Sequence, residues 1–355
     1  MDIRETIFFE DCMNKIATMS HASLEEKSLK MSAEKNDLAK KRLTDELEII
    51  GNNGYAYEYY INKTIIDYAL SANTLFYVGG QAPYSYVAYL LGITTVDPLE
   101  REYPIEMVFG FQHDRTPGFF LYVSEDFKEE LAAYLAGVFG ADKVTRKDNT
   151  IILGDKSEDM EHMSQNTLWI SVFSTKLINA AQEALSRSGE PFKGQVEAIF
   201  TPVYPSGTLD SKVDAQKLPG LIADANLEDL DGINYESLLD ETYEGLLRAL
   251  AVTNGTGVLE ADLRDDDGHL ICTRDDFYRL GRSMLDSDKN AFKFMSKVRK
   301  GQASYDEYRD GFVNMGVPDD IIDKLKSIKY VVNEGSLIPA AQIILYLARD
   351  RQESE

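Results

Sequence analysis

The sequence predicts an α+β protein, a mixed sheet with helices followed by an all-helical region. Three observations carry that expectation. Short apolar or alternating runs are interleaved with helix-period segments between residues 74 and 203. From Tyr235 onward the apolar spacing is helical throughout. Between the two, the chain is punctuated by Pro205, Gly207, Pro219 and Gly220, and Asp224 to Glu244 holds eight acids and no base. The expected organisation is an N-terminal helical segment (1–38), an α+β domain (39–204), an acidic linker (205–234) and a helical domain (235–355).

Taken in order, residues 1–50 read as helix. Ser23-Leu24-Glu25-Glu26 fits a capping box, and good helix formers run on to a stop at Gly51-Asn52-Asn53-Gly54. Tyr55 to Leu70 is a second amphipathic helix. Thr74 to Val78 is a strand, Gly79-Gly80-Gln81-Ala82-Pro83 a turn, and Tyr84 to Leu91 an apolar helix. Ile105 to Phe111 and Gly118 to Val123 alternate as paired strands. Phe127 to Phe139 and Lys176 to Ser188 are helices. Thr150 to Leu153, Thr167 to Phe173 and Val196 to Val203 complete the strands. In the helical region, turns fall at Gly255-Thr256-Gly257, Asp286-Ser287 and Gly316-Val317-Pro318.

Composition narrows the function classes. With 355 residues and 44% hydrophobic content, the chain has material for two or three packed domains. Cys12 and Cys272 are its only cysteines, which excludes a disulfide framework and a cysteine-based zinc site. Met1 to Glu10 lacks a basic segment followed by an apolar one, and no apolar run reaches the ~18 residues of a membrane span, so a cytoplasmic protein is expected. The net charge is −23, from 37 Lys and Arg against 60 Asp and Glu. Such a chain repels phosphates unless its bases are segregated, which disfavours nucleic acid; a basic protein partner and mimicry of DNA are the sharper readings. Acidity that serves only solubility is the plainer alternative.

The local motifs are weak. Gly79-Gly80 could place a phosphate at a helix N-terminus, but neither GxxxxGK[ST] nor GxGxxG is present, and an ordinary turn is the simpler reading. Asp265-Asp266-Asp267-Gly268 fails the register of a calcium loop, which would put Leu263 first and Arg274 last. His21, His113, His162 and His269 are scattered, none at ligand spacing from another, and His113 reads as a turn residue. Asp275-Asp276 reads equally as a carboxylate pair or as acids in a helix first turn.

Several phrases together resemble the PolC-type catalytic subunit of bacterial DNA polymerase III. Arg42-Leu43 to Glu46-Leu47 and Ile49 to Ala56 are similar to the helix and turn entering that family's palm. Ser85 to Leu99 is similar to the segment after its Gly-Ser motif. Phe109-Gly110-Phe111 with Asp114-Arg115-Thr116-Pro117 precedes the position of its Asp-x-Asp pair. Thr242 to Glu244 and on to Thr256, Ile271 to Phe277, Val298 to Gly301, and Val317 to Tyr330 are similar to its fingers. The resemblance is collinear over residues 40–350. It implies a truncated palm–fingers homologue, with a palm-like mixed sheet and a fingers-like helical region.

The departures fall on the chemistry. The Asp-x-Asp pair maps to Gly118 and Phe120, and a third carboxylate to Ser171. The nucleotide-holding loop shortens to Gly79-Gly80-Gln81-Ala82-Pro83 and loses its arginine. A lysine and a histidine map to Glu334 and Ser336. Two-metal phosphoryl transfer needs carboxylates to place both ions. The resemblance therefore implies degenerate catalytic motifs, no cofactor or metal, and a chain that is not an enzyme but a binding or regulatory module, with the replication machinery as candidate partner. Two alternatives stay open. One is a nucleic-acid-binding accessory protein, if Lys40, Lys41, Arg42, Lys293, Lys297, Arg299 and Lys300 form one basic face. The other is a nucleotidyltransferase with relocated carboxylates, drawn from Asp97, Asp114, Asp275 and Asp276.

Overall fold

The computed structural model describes residues 9–154, 168–201, 208–227, 230 and 232–349. His162, Val203, Pro205 and Gly207 lie outside them. The chain divides into two compact units, Met1–Thr201 and Pro202–Glu355.

The first unit opens with three helices: α1 (Phe9–Ser28), α2 (Ala33–Asn53) and α3 (Ala56–Ser71). Ser23 lies inside α1, so its capping box does not form. The cap that does form is Ser32, whose Oγ accepts from the Lys35 amide at 3.2 Å. Helix α2 ends on Gly54 at φ 76°, the left-handed conformation that glycine adopts without a Cβ penalty.

Strand β1 (Phe76–Gly80) leads through a single 3₁₀ turn into α4 (Tyr86–Leu90). The expected strand at Ile105–Phe111 is instead a short helix, α5 (Glu106–Phe109). Pro104 precedes it and favours a turn start, while Gly110 at φ 77° ends it after one turn. Then follow β2 (Phe119–Val123), α6 (Glu125–Phe139), β3 (Val144–Lys147), β4 (Thr150–Leu153), β5 (Leu168–Phe173), α7 (Lys176–Arg187) and α8 (Phe192–Ile199). The last replaces the strand expected from Val196. Pro191 starts it, and Gln195 and Ile199 are buried one helical turn apart.

The strands form one five-stranded mixed sheet in the order β1-β2-β5-β4-β3. Among the described strand pairs, only β2–β5 is parallel. Phe119, Leu121 and Val123 of β2, and Leu168, Ile170 and Val172 of β5, are buried, while the intervening residues are less so. Helix α7 packs against β2 and α6 against β3.

The second unit is helical: α9 (Leu218–Ala225), α10 (Tyr243–Asn254), α11 (Val258–Ala261), α12 (Arg274–Met284), α13 (Asp288–Val298), α14 (Arg309–Asn314), α15 (Asp319–Lys324) and α16 (Glu334–Ala348). Its described β contacts are isolated bridges. An aromatic core gathers on Phe294, with ring centroids 4.7 Å from Tyr308, 6.2 Å from Phe312 and 6.3 Å from Phe277.

Candidate functional site

The site is built at the β1–α4 turn and on the face of the central strands. Glu46 of α2 is fully buried, and its carboxylate is the hub of the turn. Oε1 accepts from Arg42 Nε at 2.6 Å and from the Tyr86 amide at 2.8 Å. Oε2 accepts from Ser85 Oγ at 2.7 Å and the Val87 amide at 3.1 Å. The N-terminus of α4 is thus filled by the protein's own carboxylate, where an anion from outside would otherwise bind. Arg42 also donates to the Tyr84 and Tyr103 carbonyls at 2.8 and 2.9 Å. The Tyr59 hydroxyl lies 2.9 Å from Ser85 Oγ, and burial pushes its phenol well up. Sequence reasoning missed this hub. Its signal was an acid on the apolar stripe of α2, in step with the buried Ala39, Leu43 and Ile50.

The Gly79-Gly80 motif is a close approach of two backbones. Gly80 has φ 74°, and a Cβ there would stand 2.4 Å from the Gly118 carbonyl oxygen. Gln81 clasps Gly118 from both sides. Its amide donates to the Gly118 oxygen at 2.8 Å, and its Oε1 accepts from the Gly118 amide at 2.8 Å. A Cβ on Gly118 would meet that Oε1 at 2.8 Å. The clasp therefore fills the space a side chain would need. Gly118→Asp is expected to lower stability by ~1–3 kcal/mol, and a second change, Gln81→Ala, to recover part of it. Chemical denaturation of the single and double variants measures this. Equal losses in both would show that the clasp does not restrict the position.

The register sets Phe120 beside Ser171 on the parallel β2–β5 pair. Two of the three positions singled out in the sequence are thus neighbours, and Gly118 immediately precedes β2. Phe120 is 40% exposed. Its ring centroid is 6.0 Å from that of Phe173, which lies 5.3 Å from Tyr122. Tyr122 stacks on Tyr77 at 4.4 Å. Tyr122, Trp169, Ser171 and Phe173 are half-buried.

In the second unit Glu334 opens α16 and pairs with Arg279 at 2.9 Å, and its amide donates to Asp275 Oδ2 at 2.9 Å. Arg279 also lies 3.5 Å from Asp276. Asp276 completes the capping box of α12 with Thr273. Arg248 is buried, donates to the Leu270 carbonyl, and pairs with Glu244 at 2.8 Å and Asp276 at 3.7 Å. Burial pushes the Glu244 carboxyl up, against the pull of Arg248. The charge of Glu334 is thus balanced within the fold. Ser336 lies in the first turn of the same helix.

The remaining candidates are dispersed. Arg42 is bound into the Glu46 hub, Lys41 pairs with Asp45 at 2.6 Å, and Lys297 pairs with Glu307 at 3.2 Å. Lys40 is exposed in the first unit. Lys293 and Lys300 are exposed in the second, with Arg299 half-buried there. Asp97 turns its carboxylate to the Leu99 amide at 2.9 Å, and burial raises it above its ordinary value. Asp114 belongs to the turn after Gly110, where His113 adopts φ 57°. Asp265 accepts from the amides of Asp267 and His269 at 3.1 and 2.8 Å, so its acids build their own turn. Among the described residues, no three His, Cys, Asp or Glu side chains form a group able to hold a metal ion. Nor is any described helix long and apolar enough to cross a membrane.

Comparison with known proteins gives the class. The family described as "Bacterial DNA polymerase III alpha NTPase domain" matches residues 14–189. "DNA polymerase III PolC-type" from Caldanaerobacter subterraneus subsp. tengcongensis is 22% identical, covering 87% of this chain and 31% of that protein. The protein of the same name from Thermotoga petrophila is 23% identical, covering 88% of this chain and 32% of its own length. "Error-prone DNA polymerase" from Cutibacterium acnes is 32% identical over 29% of this chain and 9% of that protein. The chain is a DNA polymerase III alpha-like protein. The PolC-type matches extend over most of it, so it is PolC-like as well, and it spans about a third of the length of those relatives. The expectation of a chain that is not an enzyme is corrected here. These relatives are named DNA polymerases, and this chain is a partial and distant homologue of them.

Proposed function

We propose that this DNA polymerase III alpha-related chain works as a binding and regulatory module of the replication machinery, with a palm-like first unit and a fingers-like second unit. One observation carries the reading. The positions to which the resemblance assigns metal-binding carboxylates hold Gly118, Phe120 and Ser171; Phe120 stands beside Ser171, with the ring of Phe173 next to it.

The divalent ions implied by the resemblance do not fit these three residues. Together they offer one hydroxyl and no carboxylate, whereas magnesium takes oxygen ligands, chiefly carboxylates, phosphates and water. Gln81 already occupies the space beside Gly118. What the surface offers is apolar area and ring faces, which suit a macromolecular contact.

The test is affinity purification of the full chain and a Phe120→Glu variant from the native host, with bound proteins identified by mass spectrometry. The expected result is recovery of identified replication proteins by the native chain and their loss with the variant. Identical recovery by both, or no replication component with either, would overturn the proposal.

A further inference from the structure

We propose that the groove between α1, α3 and α6 binds an uncharged, flat heteroaromatic molecule that offers an N–H donor. The groove is separate from the sheet surface discussed above, since every residue lining it lies on a helix.

The cavity measures about 730 Å³, within the ~300–1,000 Å³ range of small-molecule sites. One face of α3 builds most of it: Tyr60, Lys63, Thr64, Asp67, Tyr68 and Ser71 recur at helical spacing. Lys15 and Thr18 of α1 and Tyr134 of α6 line it as well. Three rings gather at the site. Tyr68 lies against Tyr134 with centroids 3.7 Å apart and planes 4° from parallel, and Phe127 approaches Tyr68 at 5.6 Å. Tyr68 and Tyr134 both line the cavity and both are half-buried. Half-buried ring surface in a cleft favours a flat aromatic guest, which stacks on the rings or meets them edge-on.

Hydrogen-bond polarity selects the guest's edge. Thr64 Oγ1 donates to the Tyr60 carbonyl at 2.9 Å, and Ser71 Oγ to the Tyr68 carbonyl at 2.7 Å. A hydroxyl has one proton, so each has only lone pairs left to offer. The two stand four residues before and three after Tyr68, on its side of the helix. The Tyr68 hydroxyl is spent in the same way, on Glu130. The lysines are engaged too. Lys15 Nζ lies 3.3 Å from the Tyr60 hydroxyl and 3.8 Å from Asp11, and Lys63 pairs with Asp67. The cavity therefore accepts more readily than it donates, and an N–H on the guest meets that need. Its charged groups, Lys15 and Lys63 against Asp11 and Asp67, cancel. An anion would face the aspartates and a cation the lysines, so an uncharged guest loses least on leaving water.

Indole is the probe, followed by saturation-transfer NMR on the full chain. Saturable transfer to indole is expected. N-methylindole keeps the rings and loses the donor, so its affinity should fall at least fivefold. Indole-3-acetate and tryptamine, which add a negative and a positive charge, should each bind more weakly than indole. Thr64→Val keeps the shape of the side chain and removes the acceptor, and should bring indole and N-methylindole to the same affinity. Thr18→Phe, at an exposed position of α1, should fill the groove and abolish transfer. Circular dichroism checks that both variants stay folded. No saturable transfer at millimolar indole would overturn the proposal. So would N-methylindole binding as tightly as indole, or a Thr18→Phe chain that binds indole like the native one. Tighter binding of tryptamine than of indole would show that the aspartates govern the site, and would overturn it as well.

Discussion

Replacing Glu46 with alanine is expected to lower the unfolding free energy by ~3–5 kcal/mol. The carboxylate is fully buried and accepts four hydrogen bonds, from Arg42, Ser85, Tyr86 and Val87. Its removal leaves the Arg42 guanidinium without its anion, and the Tyr86 and Val87 amides without their acceptor. Unpaired buried donors cost more than the net gain of the bonds they had made. Glu46→Gln keeps the shape and part of the bonding, so its loss should be smaller. Urea denaturation of the two variants measures both. A loss below ~1 kcal/mol for Glu46→Ala would mean that water replaces the carboxylate freely, and that the β1–α4 turn does not depend on it.

Arg248→Ala is expected to cost a similar ~3–5 kcal/mol in the second unit. The guanidinium stands between Glu244 at 2.8 Å and Asp276 at 3.7 Å and also binds the Leu270 carbonyl. Without it, the carboxylates that remain near one another include Glu334. A pH dependence follows from Glu244. Its carboxyl is raised above 4.5, first by burial, with Arg248 opposing and Glu334 and Asp276 adding to it. A raised carboxyl favours folding when protonated. Its contribution is full below the unfolded value and is lost as pH rises through the folded one. Glu244→Gln should therefore gain stability relative to the native chain as pH rises through that range. A difference independent of pH would show that Glu244 titrates alike in the folded and unfolded states.

Much of the fold is legible in the sequence because helices announce themselves locally. Thr242 and Thr273 cap α10 and α12 as their positions before apolar periodic runs suggest. The breaks near Gly255, Asp286 and Gly316 fall where glycine, serine and proline interrupt the period. The strands were harder. Ile105 to Phe111 alternates like a strand, yet Pro104 and Gly110 make it one helical turn. β3 went unseen because Thr145, Arg146 and Lys147 are all exposed and show no apolar alternation. Which strands pair is not a local property. That β2 lies between β1 and β5 follows only from packing, and it is what brings Phe120 beside Ser171.

The candidate site was legible in part for the same reason. The residues at positions 118, 120 and 171 can be read one by one. Their consequence cannot, because the Gln81 clasp spans 37 residues and the ring cluster joins three strands. The Glu46 hub joins groups about 40 residues apart and is visible in the sequence only as an acid on an apolar stripe.

The central claim is that the aromatic sheet face is a contact surface in the working protein. It is tested most directly by placing a photo-crosslinking phenylalanine analogue at position 120 in living cells. A second chain with the analogue at Leu29, which is 85% exposed, serves as control. The account predicts a discrete protein adduct from position 120 that the Leu29 site does not give and that Phe173→Ala diminishes. The same adducts from both positions, or none from position 120, would contradict it.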